Sequence, residues 1–102
     1  MVEKVYDFRW DVVKAAANAS KHGVTFEQAA TVFLDPLALT VLDEAHSQEE
    51  ERWWLLGHDA SGALLVVAHT YQAAGDDSVN VRLISARPAT GRERQFYENE
   101  PR

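Results

Sequence analysis

The chain has 102 residues, a formal net charge of −6, a hydrophobic share of 46% and no cysteine. That length supports one core and hence one domain, and the apolar share argues against disorder. The missing thiols exclude a disulfide framework, a thiolate nucleophile and a cysteine-based zinc site.

The start, "MVEKVYDFRW", lacks the basic and then apolar regions of a signal peptide. The longest apolar run, "ALLVVA" (63–68), is too short to span a bilayer. The expectation is a soluble, cytoplasmic domain with no membrane partner.

"VYDFRW" (5–10) has the β-branched and aromatic content of a short strand. "DVVKAAANASKHG" (11–23) reads as a helix, with Asp11 to cap its start, Lys21 and His22 in its last turn, and Gly23 just beyond. In "TFEQAATVF" (25–33), Thr25 and Gln28 have capping-box spacing, and Phe26, Ala29, Ala30 and Phe33 share one helical face. Asp35-Pro36 ends this second helix. The period then changes to that of strands: "LALTVL" (37–42), "RWWLLGH" (52–58), "ALLVVAHTY" (63–71) and "VNVRLISAR" (79–87). "DASG" (59–62) is a hairpin turn and "AAGDDS" (73–78) a looser one. Short connections predict a four-stranded antiparallel sheet, since parallel neighbours need a long crossover. Thr90 and Glu93 open a last helix over 91–99. The predicted fold class is α+β: two N-terminal helices, four antiparallel strands and a C-terminal helix.

Charge is uneven along this frame. "DEAHSQEEE" (43–51) holds five carboxylates and no Lys or Arg, whereas residues 82–94 hold four Arg and one Glu. Such asymmetry allows a local anion site on an acidic body, although a chain this acidic is a poor sequence-blind binder of nucleic acid. No P-loop, GxGxxG, HExxH or CxxC pattern is present, so nothing points to a cofactor or a metal.

Five segments, "FRWD" (8–11), "KHGVTFEQAATVF" (21–33), "HSQEEER" (46–52), "LLVVAHT" (64–70) and "ISARPATGRERQFYE" (84–98), together resemble the BrnT-type toxins of bacterial toxin–antitoxin pairs. The resemblance implies a RelE-like ribonuclease fold and a toxin that cleaves RNA without a metal and arrests translation. It also implies silencing by a BrnA-type antitoxin with a ribbon-helix-helix part, and repression of operator DNA through that antitoxin. The negative net charge keeps a second reading open: a catalytically weak module that binds the antitoxin and acts as co-repressor.

Metal-free cleavage needs a group to draw the proton from the 2′-OH, charge to stabilise the phosphate, and a donor for the leaving oxygen. Arginine's planar fork suits the phosphate, and His or Glu the protons. Arg87, at the end of the last strand and in the "ISAR" segment, is the first candidate; alternation puts it on the buried face with Val79, Val81 and Leu83. Arg82 then faces the other way, unless the strand bulges. Glu50 and Arg52, placed on one strand face, match a base beside a phosphate clamp, or alternatively a cross-strand salt bridge. His22 is a candidate acid, or simply a cation complementing the helix C-terminus. His46 matches the family segment but lies in a loop. His69 alternates with apolar residues and reads as a core histidine, and His58 as a turn residue. Arg82, Arg92, Arg94 and Tyr97 are candidate RNA contacts, with Phe96 expected to pack. Trp53 and Trp54 point to opposite faces, one for the core and one available to stack on a base.

Overall fold

The computed structural model describes residues 4–101. Strand β1 (Val5–Arg9) leads directly into helix α1 (Val12–His22). Asp11 caps α1 by accepting the Lys14 N–H at 3.0 Å. Gly23 closes the helix at φ +68°, a left-handed conformation that suits glycine. Helix α2 (Phe26–Thr31) opens on the reciprocal capping box of Thr25 and Gln28. It ends sooner than the apolar pattern predicts: Val32–Leu34 tighten into a 3₁₀ turn. Pro36 is the cause, because it forces Asp35 out of the helical region, to φ −72°, ψ 113°.

Strands β2 (Leu39–Leu42), β3 (Trp53–His58), β4 (Leu64–Ala73) and β5 (Ser78–Pro88) follow, and helix α3 (Gly91–Asn99) closes the order. The four are antiparallel neighbours as expected, but the sheet has five strands in the order β1-β5-β4-β3-β2. The expected four-stranded antiparallel sheet is thus corrected to a mixed one, since β1 joins the edge parallel to β5. Connection length governs only consecutive strands, and residues 10–77 lie between β1 and β5.

The sheet buries both faces. Phe26, Ala29 and Val32 pack with Leu55, Leu65, Val67, Val81 and Ala86 on one, the core face. Leu56, Leu64, Val66 and Tyr97 pack on the other, which carries α3. Gly57 lets the chain at Asp35 approach β3: a Cβ there would lie 2.9 Å from Ala38 Cβ and 3.0 Å from Asp35 Oδ2.

Two details of β5 set the site. The first is a bulge: Leu83 pairs with His69 and Ser85 with Ala68, leaving Ile84 without a partner. The extra residue inverts the alternation, so Val79, Val81, Leu83 and Ala86 are the buried positions. Arg87 therefore lies on the face opposite to the predicted one, with Arg82. The second is an edge: β1 ends opposite Arg82, leaving the next stretch of β5 without a strand on that side. The Asn18 amide fills the gap. It donates to Ala86 O (2.9 Å) and Val24 O (3.0 Å) and accepts from Ala86 N at 3.0 Å.

Candidate functional site

Residues 43–52 are a loop with one 3₁₀ turn at Glu44–His46, and β3 begins only at Trp53. The expected strand positions of Glu50 and Arg52 are corrected accordingly. Ser47 explains the break. Its hydroxyl donates to Asp43 O at 2.6 Å and accepts the Arg52 N–H at 3.0 Å. Asp43 N meets Arg52 O at 2.8 Å, closing the loop at its neck.

Within the loop, His46 is held. Its Nδ1 lies 3.0 Å from Asp43 Oδ2 and 3.2 Å from Oδ1. A carboxylate at neutral pH only accepts, so Nδ1 carries the proton and the ring projects Nε2 outward. His46, Glu50 and Arg52 line one open depression of about 250 Å³. Glu50 also accepts a hydrogen bond from Arg82 Nη2 across to β5, with both side chains half exposed. A proton carrier, a carboxylate and two guanidiniums thus meet at one place, three from the loop and one from β5.

Arg87 forms a second station on the same sheet face. Its guanidinium donates in parallel to both oxygens of Glu93, at 2.8 and 2.9 Å, and lies 5.9 Å from the centre of the Trp54 ring. Glu93 is also the capping-box partner of Thr90, taking the Thr90 N–H at 2.8 Å. The Arg87 guanidinium, more than burial, decides the Glu93 carboxyl, which is held down to about 2, with help from Thr90. The partners of Arg82 and Arg87 on β4, Thr70 and Val66, are four residues apart, about 13 Å at strand rise. Arg82 and Arg87, each paired with its own carboxylate, are thus two separate cationic stations on this face.

The remaining predicted residues fall elsewhere. His22 stays in α1, which packs with the core layer, and no hydrogen bond or ion pair joins it to Glu50, Arg52 or Arg87. Arg92 and Arg94 are exposed in the first turn of α3. Tyr97 and Phe96 exchange their expected places: Tyr97 is buried, while Phe96 is 53% exposed. The Tyr97 hydroxyl is committed to the protein, donating to Asp35 Oδ2 at 2.8 Å and accepting from His58 Nδ1 at 3.2 Å. This removes it as an RNA contact. Burial pushes the Asp35 carboxyl up, but the N–H groups of His58 and Leu37 and the Tyr97 hydroxyl outweigh it and leave it below its ordinary value. Sequence reasoning missed Asp43 as the holder of His46. Its only trace was the i, i+3 spacing in "DEAH". Asp35 as the hub between β3 and α3 left none.

Among the described residues, no three His, Asp or Glu side chains come together as a metal site. No helix among them is long and apolar enough to cross a membrane. A search of curated proteins returns no match. The fold is similar to that of the Brucella abortus ribonuclease toxin BrnT in its crystal structure. The TM-score is 0.54 at 20% identity, over 88% of this chain and 99% of that one. The family model described as "Ribonuclease toxin, BrnT, of type II toxin-antitoxin system" matches residues 10–93. The chain therefore belongs to the BrnT family of ribonuclease toxins of type II toxin–antitoxin systems.

Proposed function

We propose that this chain is a metal-independent endoribonuclease that arrests translation in the cytoplasm. The observation that carries the reading is the meeting of Asp43-held His46, Glu50, Arg52 and Arg82 at the mouth of one loop. Glu50 takes the proton from the 2′-OH as its oxygen attacks the phosphorus. Arg52 and Arg82 hold the non-bridging oxygens, whose charge grows in the transition state. His46, protonated at Nε2, gives a proton to the departing 5′-oxygen. Arg87, fixed by Glu93 and backed by Trp54, receives a neighbouring phosphate of the same strand. His22 has no part in this arrangement.

The test is cleavage of a single-stranded RNA by the purified chain with EDTA present. The expected products end in a 2′,3′-cyclic phosphate and a 5′-hydroxyl, and Glu50→Gln lowers the rate by roughly 10²-fold or more with the fold intact. Activity lost to chelation and restored by magnesium defeats the mechanism.

A second reading has its own observation. Val41, Leu56, Val66, Arg92 and Phe96 line an apolar groove of about 320 Å³ beside α3. Val41 is 49% exposed, and its strand β2 is an edge of the sheet. In this reading the groove receives a BrnA-type ribbon-helix-helix antitoxin, and the chain serves as co-repressor on operator DNA through that partner. Arg94, on the same helix, adds charge for an acidic partner segment. Growth arrest on expression without the antitoxin separates the toxin from the bare binding module.

A further inference from the structure

The core face of the sheet carries a cavity that the mechanism above does not use. It measures about 390 Å³, and its walls are largely rings: Tyr6 on β1, Phe33 from the turn after α2, Trp53 on β3, and His69 and Tyr71 on β4. Phe33 meets the Tyr6 ring at 5.5 Å and stands edge-on to His69 at 4.8 Å, so these walls are packed against one another. Such a volume, aromatic walls and one or two polar atoms are the attributes of a small-ligand site.

Asp35, Thr40 and His69 supply the polar atoms, the Asp35 carboxylate being already engaged by the His58 N–H and the Tyr97 hydroxyl. The His69 ring is 1% exposed, and Nδ1 lies 3.2 Å from the Val67 carbonyl. A carbonyl only accepts, so Nδ1 bears the hydrogen and Nε2 keeps a bare lone pair. Burial lowers the affinity of this imidazole for a second proton, partly offset by the Val67 carbonyl, and the ring is neutral at physiological pH. No protein group bonds Nε2 among the described residues. His69 lines the cavity, and among the described residues Asp59 Oδ2 is the one side-chain polar atom fully sealed off without a partner. A ligand N–H is the natural complement of His69 Nε2.

The mouth adds a cation and a path. Lys4 Nζ lies 2.8 Å from the Tyr71 hydroxyl and 5.5 Å from the centre of the Tyr71 ring. Trp53, the first residue of β3, pairs with His69, so β4 beyond that point has no strand on the β3 side. Glu50 and its neighbours run along that open edge, where Thr70 and Tyr71 border the same depression as Glu50. Tyr71 is thus shared between the cavity wall and the depression that Glu50 borders.

We propose that this cavity binds one unpaired nucleotide, its base stacked among Tyr6, Trp53 and Tyr71 and donating an N–H to His69 Nε2, with Lys4 on its phosphate. The proposal rests on the ribonuclease reading and makes the cavity the specificity pocket beside the cleaved bond. It also changes the account of His69, from a satisfied core histidine to one satisfied on one side only.

The test titrates the full chain with each of the nucleoside 3′-monophosphates and with a short unpaired RNA, following the His69 ring nitrogens by NMR. The expected result is a shift at Nε2 with both kinds of ligand. Tyr71→Ala weakens binding at least about five-fold through lost stacking, and Thr40→Trp, which fills the mouth, abolishes it. A shift with the RNA alone also supports the proposal and assigns recognition to a nucleotide within a strand. Absence of any shift at His69 overturns it. Nucleotide binding by a chain that cleaves no RNA supports the pocket and overturns the ribonuclease reading. Cleavage with unchanged KM and site preference in both variants overturns the pocket and leaves the ribonuclease reading standing.

Discussion

Arg87 and Glu93 form a pair with two consequences at the level of single residues. The Glu93 carboxyl is held to about 2, from an ordinary value of 4.5, chiefly by Arg87. A carboxylate with a depressed folded-state value stabilises the fold above its unfolded value and loses that contribution as it is protonated. The stabilisation is therefore full above about pH 4.5 and fades as the pH falls towards 2. Its size is on the order of 1–3 kcal/mol, since the side chain is 30% exposed and partly screened. Glu93→Gln is expected to flatten the pH dependence of the urea midpoint between pH 5 and about 2.5 and to lower stability at neutral pH. Asp35 and Asp59, both below their ordinary values, leave a residual slope of the same sign. A Glu93→Gln chain with an unchanged acid limb rules out the pair as the cause. The second consequence concerns chemistry. In the mechanism proposed above, Arg87, with two donors engaged by Glu93, is the positioned anion contact, and His46, oriented by Asp43, is the proton carrier. His46→Gln is expected to lower the cleavage rate by about 10²-fold or more, and Asp43→Asn by less, because it only loosens the ring's orientation.

Asn18 shows how elements, rather than residues, make the site. Its amide stands in for the strand that β1 does not extend to provide, holding β5 at Ala86 and the entry to α2 at Val24. Next to that anchor, the Ile84 bulge turns Arg87 out of the core face. Asn18→Ala leaves three backbone groups without their partners, one of them the N–H of fully buried Ala86. The expected cost is about 2–4 kcal/mol, read as a fall in Tm of several degrees or more. Amide exchange at Ala86 is expected to rise more than exchange in β3. Uniform loss across the sheet would show that Asn18 acts on the whole fold and not on this edge.

At the scale of the molecule, the charge of −6 is distributed so that one sheet face still presents Arg82 and Arg87, with Arg52 in the loop beside them. The three arginine contacts of the proposed mechanism, taken without Lys4, predict a salt slope of about −2 for single-stranded RNA, at roughly 0.7 per contact. Binding measured between low and physiological salt is expected to follow that slope, and Arg52→Ala to reduce it by close to one contact. A slope near zero would mean that the protein meets RNA through stacking alone. The shallow slope also has a functional reading: an acidic body repels polyanions generally, and only a strand seated in the site gains enough contacts to stay.

Periodicity, caps and turn residues were sufficient for α1, the start of α2, β2 to β5 and α3, because each of those signals is local. The capping boxes at Thr25 and Thr90 are satisfied as their spacing requires. The family was legible for the same reason, in short segments kept in order. What the sequence could not carry was decided by contacts between distant residues. The parallel addition of β1 to β5 depends on the return of the whole chain, which no local pattern encodes. The face of Arg87 hinges on one unpaired residue, since alternation fails wherever a strand gains a residue. Phe96 and Tyr97 are adjacent and both aromatic, and contacts with distant residues, the cluster of Leu56, Leu64 and Val66 and the Asp35 carboxylate 62 positions away from Tyr97, determine which is buried. His46 and His69 stand in segments that match the family, but their chemistry lies in which ring nitrogen Asp43 or the Val67 carbonyl engages. That choice exists only once the loop and the sheet are folded.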